Sequence, residues 1–528
     1  MKHVNGNSGF EVVLATPPPI SHRTAEENLG LSYLAAVLRS IGCSVRIIDG
    51  WLEGLSPSKL ATEILNAPPT LFLGFSCYRS NMERTIEVIN RLRHEKLAIP
   101  IIVGGFGPTF HPDAFLEAGF DIVVRGEAEE TILDLYHHYR SGEPHLKNIL
   151  GISYRNNGEN HHNLSRPLIE DLDSLPLPVR DTMHLTLQRK STVHVISSRG
   201  CQAHCVFCSI VAFQKLSSGA QWRQRSIRAF VDELESLCKS GAQHFKVIDD
   251  SLIEPPRNEE WCRELANELE ARGLNVRLRG SIRADRVNEE VVRELKRAGF
   301  FAFSCGIENG SETALKRMGK KASLKQNTQA LEILNNYGIY VQAGHILFDY
   351  GTTLVELEEN YEFMQRFIWT VSKGIFTEMY AANGTPFTKR LQGLGIFQVD
   401  AIGLGNNKYP VLDDQARAVY SALKLWHKNH SRVYDMVIDP LSAPKAISEE
   451  HSRAFHALSM ELRKYDLAFM RNILDSAHCK NSEAEMLQQT VEEIKKAQGL
   501  YNNIEAKAYL LYIRAGIVYD AEENPFLC

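Results

Sequence analysis

Short runs of β-branched residues alternate with helical patterns along most of the chain, and this alternation constrains the fold more than any other feature. In residues 10–140 it predicts five strands, at 12–15, 45–49, 71–75, 99–103 and 121–124. Strands separated by helices in this order are typical of βαβ units and of a doubly wound, Rossmann-like parallel sheet. Ligands of such sheets bind outside the carboxyl ends of the strands.

A second α/β stretch covers residues 191–390. It predicts six further strands, at 193–196, 245–248, 276–280, 301–304, 340–343 and 376–379. Six β/α units indicate a partial TIM-like barrel, whose functional residues lie on loops at the carboxyl ends of the strands.

The remaining segments differ in character. Polar turn residues at 156–163 and the nearby Pro176 and Pro178 predict a hairpin and then an extended linker. Beyond residue 400 the apolar spacing becomes helical. We therefore expect an α/β protein with four segments: a Rossmann-like ligand-binding domain at 1–150, a linker at 151–190, a partial (β/α)6 barrel at 191–395 and a helical domain at 396–528.

Composition excludes several classes of protein. The chain has 528 residues, 44% of them apolar and 23% charged, which is ordinary for a globular protein and excludes a disordered or collagenous chain. No apolar run approaches the ~18–20 residues that a membrane-spanning helix needs, so no membrane span is expected. A net charge of −5 gives no general attraction to nucleic acid, and no nucleic-acid partner is expected. The polar start lacks a secretory signal, so we expect a cytoplasmic location with reduced thiols.

Three of the ten cysteines cluster in one loop after a predicted strand. Cys201, Cys205 and Cys208 form a C-x3-C-x2-C motif, whereas the other seven are scattered. Three thiolates this close can bind three irons of a cubane [4Fe–4S] cluster and leave one iron open. Two alternatives stay open: a zinc site completed by His204 or a distant cysteine, and three unrelated buried thiols.

Residues 191–390 resemble the radical S-adenosylmethionine (SAM) core, in which such a cysteine loop follows the first strand of a partial barrel. The resemblance implies that the open iron chelates the amino and carboxylate groups of SAM, and that an electron from the cluster cleaves SAM to a 5′-deoxyadenosyl radical. It also implies that the backbone of Phe207 meets the adenine. The sequence G-I-E-N-G-S at 306–311 is similar to the family's G-I-E-S-G-S, which assigns Gly306 to the SAM site and Glu308 to the SAM amino group or ribose. The alternative for Glu308 is an ordinary carboxylate at a strand end.

Two pairs of charged residues follow the next two predicted strands. Asp249 with Asp250, and Arg283 with Asp285, stand where the family places polar groups near SAM or substrate. We count Asp250 and Arg283 as candidate cofactor residues, with a solvated rim as the alternative. The segment 348–353 departs from the family's Gly-Pro-Gly turn, which leaves the adenine contact there open.

Residues 10–140 are similar to the cobalamin-binding domain that precedes the radical core in one branch of that family. The resemblance rests on G-G-F-G-P-T-F-H-P at 104–112 and V-R-G-E-A-E at 124–129. Glycines let the backbone approach a large planar ligand closely, although an unliganded turn is the alternative. The resemblance implies that cobalamin is bound by Thr16, Tyr78, Arg79, Gly104, Gly105, Gly107, Gly126 and Glu127.

The lower ligand of the cobalt is a separate question. The D-x-H-x-x-G motif that supplies a histidine ligand in other cobalamin proteins does not occur, and His22 and His111 lack its context. We therefore expect no histidine on the cobalt. The loop 76–81 is expected to face the lower side of the corrin, where Arg79 would disfavour a water ligand and keep Co(I) accessible. The alternative is that Arg79 caps a surface helix.

Together these features predict a cobalamin-dependent radical SAM C-methyltransferase. The resemblance implies that a methyl group moves from SAM through methylcobalamin to an unactivated carbon, after the 5′-deoxyadenosyl radical has removed a hydrogen atom. The alternatives are a cyclase or rearrangement enzyme without methyl transfer and, more remotely, a corrinoid carrier or sensor with a structural cluster. A methylthiotransferase is disfavoured because the first domain holds only Cys43 and Cys77 rather than a second cysteine triad.

The expected partners are a small-molecule or peptide substrate and a flavodoxin or ferredoxin that donates electrons. A run of basic residues after the cysteine loop is either a docking surface for that acidic donor or a solvated face. It consists of Lys215, Arg223, Arg225 and Arg228.

Overall fold

The computed structural model describes residues 9–18, 26–399, 408–442 and 446–517. The strands of these residues are β1 Val12–Thr16, β2 Val45–Asp49, β3 Phe72–Ser76, β4 Ile101–Gly104, β5 Ile122–Val124, β6 Ile152–Asn156, β7 Glu159–His162, β8 Val193–Val195, β9 Ser198–Gly200, β10 Trp222–Gln224, β11 His244–Val247, β12 Arg277–Arg283, β13 Phe300–Glu308 and β14 Tyr340–His345.

The α-helices are α1 Leu29–Ser40, α2 Pro57–Asn66, α3 Met82–His94, α4 Phe106–Phe110, α5 Pro112–Glu117, α6 Glu129–Ser141, α7 Met183–Gln188, α8 Ser209–Gln214, α9 Ile227–Lys239, α10 Glu259–Ala271, α11 Glu289–Arg297, α12 Glu312–Arg317, α13 Leu324–Asn336, α14 Leu354–Arg366, α15 Pro386–Gly393, α16 Asp414–Ser442, α17 Glu449–His478 and α18 Glu483–Ala515. None of the described helices is both long enough and apolar enough to cross a membrane.

The chain forms two compact units. The first contains the described residues up to Thr186 together with the segment Ala212–Arg225 and Val399. Its sheet has the order β2-β1-β3-β4-β5-β6-β7, in which β1 to β5 are parallel and β6 and β7 are antiparallel. The order 2-1-3-4-5 of the parallel part is that of a doubly wound sheet, as the alternation of strands and helices predicts.

Helices cover both faces of this sheet, which explains why its central strands β1, β3, β4 and β5 are almost entirely apolar. Along β1, Val13 and Ala15 pack on the side of α2 and α3, whereas Val12 and Leu14 pack on the side of α1 and α6. All four side chains are buried. Adjacent residues of a strand point to opposite faces, so each face of the sheet has its own core.

The segment 151–186 differs from the predicted linker. The predicted hairpin forms as β6 and β7, but β6 pairs with β5 and so extends the first sheet. The first unit then continues to Thr186 instead of ending at 150. Pairing β5 with β6 covers what would otherwise be an open sheet edge, and the local sequence does not reveal that long-range pairing.

The second unit contains Leu187–Val211, Ser226–Gln398 and the described residues from 408 onward. Its parallel sheet has the order β14-β13-β12-β11-β8, so five of the six predicted strands form. The sixth, predicted at 376–379, is only an isolated bridge between Phe348 and Glu378. The backbone N–H groups of Leu347 and Phe348 both donate to the carbonyl of Thr377, at 3.1 Å each. Among the described residues this contact does not extend into a strand of the sheet, so the prediction of a sixth strand is wrong.

The helices α16, α17 and α18 confirm the predicted helical C-terminal region. Their apolar faces share one core with α14, and Trp426 stacks on Phe469 with ring centroids 3.9 Å apart. Within this core the buried Asp466 carboxylate accepts hydrogen bonds from Trp426, Tyr434 and Tyr501, at 2.9, 2.6 and 2.6 Å. A buried carboxylate needs such donors, and here they come from α16 and α18.

Candidate cofactor sites

The three loop cysteines line one cavity of about 300 Å³ in the second unit. Cys201 and Cys205 are buried and Cys208 is partly buried. Burial raises the pKa of the Cys201 thiol to about 12, so binding a metal there must displace a proton. Three sulfurs on the wall of one cavity fit a cluster that takes three protein ligands.

Hydrogen bonds of the backbone fix the loop before its first cysteine and between its second and third. The N–H of Gly200 donates to the carboxylate of Asp250 at 3.0 Å, and Asp250 lines the cavity. Further along, the N–H of Val206 donates to the carbonyl of Met318, and the N–H of Phe387 donates to the carbonyl of Val206, at 3.0 Å each. These bonds hold the backbone next to Phe207, which also lines the cavity.

The two predicted aspartates after β11 have different surroundings. Asp249 is fully buried and accepts hydrogen bonds from the N–H and hydroxyl of Ser197, at 2.7 and 2.5 Å, and from the hydroxyl of Ser198, at 2.6 Å. Its carboxylate therefore supports the strand that leads into the cysteine loop. Of the pair, Asp250 is the one that lines the cavity.

Arg283 lines the same cavity and is held by two carboxylates. It donates to Asp285 at 2.6 and 2.9 Å and to Glu254 at 3.1 Å. Glu254 is fully buried, also accepts from Arg286 at 3.2 Å, and lies 3.4 Å from the sulfur of Cys201. Arg283 and Asp285 thus form an ordered ion pair instead of a solvated rim, and Glu254 belongs to the site although no sequence motif indicated it.

Glu308 ends β13 and forms an ion pair with a lysine that no sequence motif indicates. Lys320 Nζ lies 2.9 Å from Glu308 Oε1, and both side chains line the cavity. Burial alone would lower the pKa of Lys320, but the charges of Glu308 and Cys205 and the hydrogen bond to Glu308 together raise the pKa above its usual value. Gly306 lies beside the pair, since a Cβ there would come within 2.9 Å of both Glu308 Oε1 and Lys320 Nζ.

The barrel interior next to this pair is polar. Arg279, which is buried, donates to the hydroxyl of Ser304 at 2.9 Å and to the side-chain oxygen of Gln342. Ser304 and Gln342 both line the cavity. An arginine only donates, so the amide oxygen of Gln342 must face Arg279, which orients that amide.

In the first unit, two of the predicted glycines are required by a close approach of the chain to itself. Gly105 has a φ of +106°, and a Cβ there would lie 2.5 Å from the carbonyl oxygen of Cys77. A Cβ on Gly107 would lie 2.9 Å from Cγ of Met82. The glycine turn therefore holds the loop that carries Tyr78 and Arg79 against the end of β4, which brings the predicted residues of both loops together.

Three further predicted cobalamin residues of this unit are Gly104, Gly126 and Thr16. Gly104 and Gly126 lie at the ends of β4 and β5, and Gly126 has a φ of +85°. Thr16 is fully buried, and its hydroxyl donates to the carbonyl of Ser76 at 3.0 Å and accepts from Asn81 at 3.2 Å. The side chain of Thr16 is therefore engaged inside the protein and fixes the end of β3.

Two of the four predicted basic residues, Arg223 and Arg225, are buried and form ion pairs with Glu127 and Asp173. Arg223 donates to both oxygens of Glu127 at 2.9 Å, and Glu127 also accepts from the N–H of Ile169 at 2.8 Å. Arg225 lies 3.6 Å from Asp173. Arg223 and Arg225 are buried, so the prediction of a docking or solvated face is wrong for them; Lys215 and Arg228 are exposed.

Comparison with known families agrees with these two sites. Residues 21–135 match the B12 binding domain, and residues 195–364 match the Radical SAM superfamily. The chain belongs to the B12-binding radical SAM enzymes. The two domains of this enzyme imply three cofactors: cobalamin, SAM and a [4Fe–4S] cluster.

Three relatives show how far the likeness extends. An uncharacterized methyltransferase of Pyrococcus horikoshii is 29% identical over 368 residues, which are 68% of this chain and 78% of that protein. The anaerobic magnesium-protoporphyrin IX monomethyl ester cyclase of Synechocystis is 27% identical over 344 residues, 62% and 67% of the two chains. The solved structure of the cobalamin-dependent radical enzyme OxsB, with aqua-cobalamin and S-adenosylmethionine bound, has a TM-score of 0.77 at 19% identity and covers 98% of this chain and 82% of its own. That last likeness concerns the fold.

Proposed function

We propose that this B12-binding radical SAM enzyme is a C-methyltransferase that acts on an unactivated carbon of a small-molecule or peptide substrate. The observation that supports this proposal is one cavity that is lined both by the three cysteines and by the Glu308–Lys320 ion pair. The Pyrococcus horikoshii relative, whose name states methyl transfer, favours this reaction.

The cavity offers charged partners for the amino acid end of SAM. Cys201, Cys205 and Cys208 would hold the cluster and leave one iron for the amino and carboxylate groups of SAM. Glu308 would accept a hydrogen bond from that amino group, and Lys320 would face the carboxylate, because hydrogen bonds to charged groups are strong in a buried site. Phe207, Gly306, Asp250 and Arg283 complete the proposed SAM site.

The first unit would bind the second cofactor. When bound, the cluster with SAM supplies a carbon-centred radical, and the corrin supplies a methyl carrier. Tyr78, Arg79 and the glycine turn Gly104–Gly107 would contact the corrin. The side chain of Arg79 is exposed at the carboxyl end of β3, and it would discourage a water ligand on the lower side of the cobalt.

The test is turnover of anaerobically reconstituted enzyme with cobalamin, a flavodoxin or ferredoxin reducing system and SAM labelled in its methyl group. Candidate substrates are screened by mass spectrometry for gain of the labelled methyl. Formation of 5′-deoxyadenosine together with a methylated product supports the proposal. Release of no 5′-deoxyadenosine under any condition contradicts it and favours a corrinoid carrier or sensor.

A second candidate is cyclisation or rearrangement without methyl transfer. The Synechocystis relative, whose name states a cyclase, favours it. The same experiment separates the two, because a cyclase forms 5′-deoxyadenosine and a product that carries no label.

A further inference from the structure

The backbone of Glu308 adopts a conformation that residues other than glycine rarely take. Its φ is +65°, in the left-handed region. The register of β13 against β14 shifts between Gly306 and Glu308, so that Glu308 pairs with His345. A non-glycine residue stays in this region only where its surroundings hold it there. The side chain that faces Lys320 therefore depends on whatever fixes this turn.

Asn309, the next residue in the chain, forms hydrogen bonds that hold this turn. Its side-chain amide donates to the carbonyl of Ile346 at 2.8 Å and accepts from the N–H of Ser311 at 2.8 Å. The N–H of Ile346 in turn donates to the carbonyl of Glu308 at 2.6 Å. The Asn309 side chain therefore ties the turn after Glu308 to the backbone at Ile346.

Asn360, on α14, completes the support from outside the sheet. Its oxygen accepts from the N–H of Gly310 at 2.7 Å, and its nitrogen donates to the side-chain oxygen of Asn309 at 2.8 Å. Both asparagines are buried, with exposed fractions of 0% and 1%. Because the N–H of Gly310 can only donate, the orientation of the Asn360 amide is fixed. Gly310 has no space for a side chain, since a Cβ there would lie 2.6 Å from Cβ of Phe363 on the same helix.

We propose that Asn360 is a positioning residue for SAM binding. It locks Asn309, the Asn309–Ile346 bond holds the left-handed turn, and the turn places the Glu308 carboxylate at the cavity wall. Asn360 is not among the residues that line the cavity, so we expect it to act through the turn that carries Glu308. The inference rests on the proposed contact between Glu308 and the amino group of SAM.

The test compares two ligands that share the nucleoside but differ in the amino acid end. Dissociation constants of SAM and of 5′-methylthioadenosine, which lacks that end, are measured for the reconstituted enzyme, N360A and the exposed control Q365A on the same helix. We expect N360A to bind SAM at least tenfold more weakly, with less than a twofold change for 5′-methylthioadenosine and unchanged iron content. Q365A should match the wild type for both ligands.

A second variant keeps the test decisive if N360A fails to fold. N309A removes the side-chain hydrogen bonds of Asn309 to Ile346 and Ser311 and should also weaken SAM binding at least tenfold. Where both single variants fold, the double variant should lose little more, because both act through the same bond. Unchanged SAM affinity in either variant, or an equal loss for both ligands, overturns the inference. If the wild type itself binds no SAM, the proposed function fails instead, so the two failures are distinct.

Discussion

Lys320 and Glu308 form an ion pair, with Nζ and Oε1 2.9 Å apart, on the wall of the cavity that the three loop cysteines line. The two residues are twelve positions apart, on either side of α12. The opposite charges compensate each other, which limits the cost of burying them at the cavity wall. Under the proposed function this pair would face the amino acid end of SAM.

Replacing Lys320 by methionine removes the partner of the SAM carboxylate. We expect K320M to bind SAM ten- to a hundredfold more weakly, a loss of about 1.4–2.8 kcal/mol. Decarboxylated SAM should bind the variant and the wild type alike. Titration calorimetry under anaerobic conditions measures both. The control is K316M, which removes an exposed lysine of α12 that is not among the residues lining the cavity; equal losses in K320M and K316M would refute the assignment.

Replacing any one of Cys201, Cys205 and Cys208 by alanine should abolish the cubane cluster. Each thiolate binds a different iron, and a cluster with one missing ligand assembles poorly. We expect loss of most iron, of the visible absorbance and of SAM cleavage after anaerobic reconstitution. C479S is the matched control because Cys479 is an exposed free thiol. Bound zinc in place of iron, or a retained active cluster in the alanine variants, would reject the cluster assignment.

The buried pair of Arg223 and Glu127 should stabilise the first unit. Their side chains are 4% and 10% exposed, so R223M leaves a buried carboxylate without its main partner. Removing one member of a buried ion pair costs about 3–5 kcal/mol. Urea unfolding should show this loss in R223M and almost none in K215M, since Lys215 is exposed in the same segment. Equal stability of the two variants would show that the pair contributes little.

Acidification should destabilise the second unit through His430. Burial lowers the pKa of His430 from 6.5 to about 4. Between these values the unfolded chain binds more protons than the folded one, so the free energy of unfolding rises as pH rises from 4 to 6.5 and is constant above. At pH 5 the folded state should be about 2 kcal/mol less stable than at pH 7 for this group alone.

The measurement is urea unfolding at pH 5 and pH 7 for the wild type, H430Q and H94Q. The glutamine at 430 does not titrate, so its variant should lose that part of the pH dependence. His94 is 86% exposed and serves as the control. A pH dependence in H430Q as steep as in the wild type would assign the effect to other groups.

The arrangement of the sheets was largely predictable from local pattern. Short β-branched runs identify strands, and an apolar spacing of about 3.6 residues identifies helices with one face in a core; this predicted ten of the eleven strands assigned to the two α/β stretches. The predicted sixth barrel strand forms only an isolated bridge, because strand pairing depends on distant segments and not on the local pattern. The hairpin at 152–162 was predicted, but its attachment to β5 was not, since a free sheet edge is a property of the assembled sheet.

The sequence by itself determined the chemistry of the cysteine loop and of the G-I-E-N-G-S turn, because ligands within a few residues of each other are brought together by the chain itself. Only the tertiary structure decided the partners of these groups and of Glu127. Lys320 pairs with Glu308, Glu254 lies beside Cys201, Asn360 bonds Asn309, and Arg223 pairs with Glu127. All four come from segments that the local sequence does not connect to the motif. Which side chain turns inward and which charge it meets is fixed by packing between distant elements, and that information is absent from any short stretch of sequence.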